Sequence, residues 1–287
     1  MLPQASQLPW KNLLEAFGSL PKPTQTAGCD CGSCDLPAAK ILSLLDVPPE
    51  HLEDCRDVRL YLENVRGTVG TDEDFTFLLP GLARIWAEKD LPDEWYQENF
   101  WDALAKGEFM ATVLPADLRA ALNGFLEAAI LRRLGLEARL TRIKGVAASH
   151  SWSRDLGGFA RVSDSLESLW KSWWGVASEG HARAILLYGS HFVYEEPANP
   201  FYARQSYNRG GGPCLLELGG SPMVYWRDSN RQFLKTALTV DSLEAVFNRA
   251  VQRLVDPEEK RLAAEALDWL VRDREGTARR ILAFLEE

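Results

Sequence analysis

Residues 117–135 read DLRAALNGFLEAAILRRLG, and this stretch decides the fold class. Leu118, Leu122, Phe125, Leu126, Ala129 and Ile130 recur at steps of three and four, which places them in one stripe along an α-helix. Asp117 suits the N-cap and Gly135 the stop. Such a helix buries its stripe against others.

Working outward, the same periodicity runs from LPAAKILSLLD to RLGLE, broken at proline, glycine or aspartate. It returns at the end of the chain. DSLEAVFNRAVQRLVD (241–256) carries Asp241 and Glu244 as a capping-box-like pair and sets Leu243, Val246, Phe247, Ala250, Val251 and Leu254 on one side. DPEEKRLAAEALDWLVRD (256–273) starts with Asp256 as cap and Pro257 in the first turn, and TARRILAFLEE follows. Consecutive amphipathic helices on short turns stack as antiparallel neighbours. The expected fold is mainly α: an irregular multi-helix bundle or solenoid-like stack with a small mixed or irregular insert. Residues 1–37, rich in proline around WKNLLEAF, read as a flexible arm, 38–138 as a helical region, 139–238 as the irregular part and 239–287 as C-terminal helices. Within the irregular part, ILLY, HFVYEE, CLLEL and MVYWR fit short strands or buried helix fragments equally well.

The chain has 287 residues, 46% of them hydrophobic, so a sizeable core is available without disulfide staples. With 41 acidic against 32 basic residues and a net charge of -9, non-specific attraction to nucleic acid or anionic lipid is disfavoured and a basic partner is favoured. The opening residues lack the basic and apolar regions of a secretory signal, and apolar runs of about 18 residues are absent. The expectation is a cytoplasmic protein that engages neither nucleic acid nor membrane.

Five cysteines, an odd number, point to thiols or a metal rather than a disulfide framework. GCDCGSCD (28–35) holds Cys29, Cys31 and Cys34, and PPEHLEDCRD adds Cys55, with His51 four residues earlier as the alternative fourth ligand. Three thiolates and one more donor suit tetrahedral zinc. An unliganded loop fits the imperfect spacing as well, and a redox Cys-x-x-Cys fits least because no strand precedes it.

Catalytic motifs are weak. His150 and His191 stand beside serines without a nucleophile elbow, and NRGGGPC reads as a turn. Two acidic groups stand out: Asp72, Glu73 and Asp74 in GTDEDF, then Asp93, Glu94, Trp95 and Glu98 in DLPDEWYQENFWD. Acids at helix starts and aromatics in a core stripe are the ordinary reading. The alternative is an acidic surface with aromatic anchors for a basic partner. Of Trp170, Trp173 and Trp174, two are expected in the core.

CDCGSC, TVGTDEDFTFLLPGLARIWA and FWDALAKGEF followed by LPADLRAALNGFLEAAILRRL resemble a group of uncharacterised bacterial helical proteins. These carry an N-terminal cysteine cluster and a W-G-x-x-x-D-F-x-x-F-L-P-R segment. Here Gly70, Asp74, Phe75, Leu79 and Pro80 match, while Val69 and Gly81 stand where tryptophan and arginine are usual. The resemblance covers roughly residues 29–135 and implies architecture only. In its whole character the chain is also similar to immunity proteins of type VI secretion, which are acidic and helix-rich. That similarity implies a non-catalytic inhibitor that binds a basic, nuclease-like toxin, without cofactor or with zinc. A zinc-containing adaptor, or a hydrolase with an unrecognised site, are the rival expectations.

Overall fold

The computed structural model describes residues 7–31, 35–88, 94–138, 140, 151–195, 199–201 and 225–286. Among them every regular element is a helix. The chain forms two compact units, Met1–Ala129 and Ile130–Glu287.

The first unit holds α1 (Gln7–Phe17), α2 (Ala38–Leu45), α3 (Arg56–Asn64), α4 (Asp72–Glu88), α5 (Glu94–Ala105), the short α6 (Phe109–Thr112) and most of α7 (Ala116–Gly135). Its centre is α4, contacted by α1, α2, α5 and a 3-10 turn at Pro49–His51. The helix is apolar on nearly all sides, with Phe75, Leu78, Leu79, Leu82, Ile85 and Trp86 all buried. Trp86 stacks on Phe100 at 5.4 Å and meets Trp101 edge-on at 5.2 Å. The six stripe residues of α7 are buried, as the periodicity implied. Asp117 lies in its first turn instead of capping it, because the helix begins at Ala116, one residue earlier.

The flexible arm needs correction. It contains α1, whose Leu13 and Phe17 are buried and whose Trp10 packs on Phe125 at 5.7 Å. Past α1, the Ala27 carbonyl accepts the Gly70 N–H at 2.6 Å, and the Thr26 hydroxyl donates to Asp74. Gly70 has φ +69° and lies against the Tyr61 ring, so a side chain there meets both strain and a clash.

The second unit comprises the end of α7, α8 (Ser151–Val162), α9 (Glu167–Trp174), α10 (Glu179–Val193), α11 (Asp228–Ala237), α12 (Val240–Arg253), α13 (Pro257–Arg272) and α14 (Arg274–Glu286). The region read as irregular is therefore helical over much of its described length. ILLY and the start of HFVYEE belong to one helix, α10, while CLLEL and the first two residues of MVYWR lie outside the described residues; Trp226 of the latter is buried and Tyr225 exposed. From Ala184 to Val193 every residue of α10 is buried, and α9, α12, α13 and α14 surround it. Gly189 permits the close approach of α12: a Cβ there lies 2.4 Å from Phe247 Cε1 and 2.7 Å from Leu243 Cδ1. Trp170, Trp173 and Trp174 are all buried with Tyr188, the first and last stacked at 4.1 Å.

Polar groups close the ends of these helices. Asn230, fully buried, donates to the Ala160 and Ser163 carbonyls and accepts from Leu166 N–H. Arg280 donates to the Phe192 and Val193 carbonyls at the end of α10 and to Asp273. Asp256 caps α13 as expected, but α12 is capped by Thr239 with Ser242 in a reciprocal box. Glu244 and Asp241 instead pair with Arg274.

At the start of α10, Ser178 Oγ accepts the His181 N–H and lies 3.2 Å from Nδ1, while Nε2 is 2.9 Å from the Leu131 carbonyl. A neutral imidazole protonated on Nε2 fits both neighbours. Burial lowers its pKa, opposed by the Leu131 contact.

Gly189→Val is expected to destabilise the chain by about 1–3 kcal/mol, through overpacking against Phe247, in urea denaturation. For His181 the unfolded chain binds a proton first on acidification. The stability it contributes is therefore intact above its ordinary value of 6.5 and lost as pH falls below it. His181→Asn is expected to flatten that part of the stability–pH curve.

Candidate functional site

A recess of about 330 Å³ opens in the first unit, lined by Glu50, His51, Leu52, Glu53, Asp54, Arg84, Ile85 and Glu88. Its frame follows from Pro80–Gly81 in the middle of α4. Pro80 lacks a backbone N–H, yet the helix runs through it. Gly81 lets the Pro49–Leu52 turn lie directly on the helix: a Cβ there lies 2.8 Å from Leu52 Cδ2 and 3.3 Å from the Pro49 carbonyl. One turn later Arg84 fastens the approach. Its Nε donates to the Pro49 carbonyl at 3.1 Å, Nη2 donates to the Leu52 carbonyl, and Nη1 pairs with Glu88 at 2.6 Å. The guanidinium, whose side chain is 11% exposed, thus satisfies two main-chain acceptors and one carboxylate together.

Asp54 forms a two-pronged pair with Arg59, both bonds 2.8 Å, and Arg59 lies over the Trp95 ring at 5.5 Å. Trp95 is half-buried and meets Tyr96 edge-on. Burial, with the Asp54 carboxylate adding to it, pushes the Tyr96 phenol well above its usual value, and its hydroxyl donates to the Leu82 carbonyl. It is a fixed neutral donor. The recess therefore presents four carboxylates against one arginine, and an aromatic ring adjoins it through Arg59. Asp54 and Glu88 are engaged internally, whereas Glu50 and Glu53 stand exposed at the rim. Such a rim attracts a guanidinium or ammonium group.

The residues singled out in the sequence divide sharply. Asp74 is fully buried and does not belong to a surface. It occupies the third helical position of α4 and closes a reciprocal box, accepting from Thr71 N–H at 2.8 Å while Asp74 N–H donates to Thr71 Oγ1 at 3.1 Å. Asp72 pairs with Arg66 at 2.5 Å, and Glu73 is exposed. Trp95 and the exposed Glu98 are on α5, Glu94 opens that helix, and Asp93 lies outside the described residues. Thus Trp95 is linked to the recess through Arg59 and Asp54, without lining it, and the 72–74 group is not part of it.

His51 lines the recess but shares no helical face with Cys55. Pro48 and Pro49 impose an extended entry and a 3-10 turn, and α3 starts only at Arg56, with Cys55 as its cap residue. Cys29 is half-buried and Cys31 exposed, their sulfurs 3.0 Å apart, and Cys34 lies outside the described residues. No three histidine, cysteine or acidic side chains converge as a metal cage among the described residues. His191 is buried inside α10, and His150 and NRGGGPC lie outside the described residues.

Glu50, Glu53, Asp54, Arg59, Arg84 and Glu88 escaped the sequence reading. The density of acids in PPEHLEDCRD was visible, but their meeting with α4 depends on Gly81. No family model, curated protein or solved structure matches the chain. No helix among the described residues is long and apolar enough to cross a membrane.

Arg84→Ala removes the donor to two carbonyls and one ion-pair contact of Glu88 and is expected to cost about 2–3 kcal/mol. Amide hydrogen exchange is expected to rise first across residues 49–54.

Proposed function

We propose that the chain is a non-catalytic binding protein of the immunity type, which neutralises a basic protein, such as a secreted nuclease-like toxin, by engaging its cationic surface. The observation that supports this reading is the recess itself: four carboxylates around about 330 Å³, two of them exposed at the rim, beside a half-buried tryptophan. A basic toxin that grips phosphates carries clustered arginines and lysines. An acidic rim accelerates their encounter, and burial of Trp95 against the partner supplies affinity that charge alone does not. The overall charge of -9 acts in the same direction at longer range. In this reading a cationic side chain of the partner inserts between Glu50 and Glu53, and the bound chain covers the toxin's active site or substrate groove.

The test is co-expression of the chain with the products of genes encoded beside its own, followed by capture on the tagged chain and surface plasmon resonance. The expected result is capture of a basic protein. Glu50→Lys with Glu53→Lys is expected to slow its association about tenfold at low salt, with the difference shrinking as salt screens the charges. Both positions are exposed, so the fold is expected to tolerate the change. If no neighbouring product binds and the chain protects no host from an adjacent toxin, the proposal is wrong.

A further inference from the structure

The cysteine loop takes no part in the recess, and its geometry has a chemistry of its own. Cys29 and Leu36 form an isolated antiparallel bridge, each N–H donating to the other's carbonyl at 3.0 Å. Leu36 is fully buried, so one side of the bridge is anchored in the core. On the other side the adjacent residues Thr26 and Ala27 are tied to Asp74 and Gly70. Cys29 is therefore pinned before and after. Two residues on, the Cys31 carbonyl accepts the Asp35 N–H at 3.0 Å, and Asp35 pairs with Arg56 at the start of α3.

This backbone brings the Cys29 and Cys31 sulfurs to 3.0 Å, longer than the roughly 2.05 Å of a disulfide bond, so the two are not joined to each other. We infer that Cys29 and Cys31 chelate a thiophilic metal ion of the zinc and cadmium class. Each thiol loses its proton to solvent as its sulfur binds. Metal–sulfur bonds of about 2.3 Å at a tetrahedral angle hold the sulfurs roughly 3.8 Å apart. A small side-chain rotation of the exposed Cys31 provides that opening.

Charge favours a cation here over bare thiolates. Asp30 and Asp35 are both exposed beside the pair, Asp35 already facing Arg56, and a bound dication offsets the negative charge that two thiolates add there. Soft sulfur donors select soft or borderline ions over magnesium or calcium. Preorganisation adds affinity, because the second sulfur is delivered at high effective concentration once the first is bound.

The full chain, fully reduced and freed of metal, would be titrated with cadmium ion alone. Absorbance would follow the ultraviolet sulfur-to-cadmium charge-transfer band. The expected result is saturation at one ion per chain. Cys29→Ser and Cys31→Ser, each nearly isosteric, are expected to weaken binding by roughly a hundredfold or more, the scale on which a chelating partner contributes. Cys214→Ser is expected to bind as the wild type does. A second readout is thermal unfolding, where cadmium raises the midpoint of the wild type and not of the two variants. Absence of the band in the reduced chain, or undiminished cadmium affinity in Cys29→Ser and Cys31→Ser, would overturn the assignment.

Discussion

A helix that is apolar on every side has to be surrounded, and that constraint organises each unit of this chain. In the first unit α4 carries large side chains around most of its circumference; in the second α10 does so from Ala184 onward. Neither reaches water along a conventional polar face, so neighbours must come in close. Both helices supply a glycine where a neighbour comes in close, Gly81 beneath the Pro49–Leu52 turn and Gly189 beneath Phe247. The amphipathic helices around them, with one apolar stripe each, complete the two cores.

That division explains which parts of the fold could be read in advance. Surface helices advertise themselves by periodicity, so α7 was legible down to the six stripe residues it buries, and α12 in all but Val251, which is half-buried. Full burial erases the period that makes a helix visible in sequence. ILLY and HFV thus fitted short strands as well as buried helix fragments, and the second holds, since α10 is continuous through them. Asp256 caps α13 as read, whereas the cap of α12 was misplaced. Asp241 and Glu244 had the right spacing for a box, but Thr239 and Ser242 offered a second one two residues earlier, and Arg274, thirty positions downstream of Glu244, claimed both acids.

The site was less legible than the fold because its parts come from separate segments. Sequence reasoning found Trp95 and His51 but assigned them different roles, an anchor and a metal ligand. Their common neighbourhood arises only when the 49–54 segment settles on α4. Asp74 shows the opposite error. An acid in a run of acids reads as surface, yet its position three residues after Thr71 turns it inward to hold a helix start. Composition indicates that carboxylates are abundant; only the local hydrogen-bonding geometry separates those that maintain structure from those that meet solvent.

The clasp made by Arg84 has one more implication. It grips main-chain oxygens of Pro49 and Leu52, so the scaffold of the recess asks nothing of the side chains at positions 50, 51 and 53. Those three places are open to drift and exchange under selection while the architecture stays constant. Side chains at these positions can therefore set what the recess meets without altering how it is built.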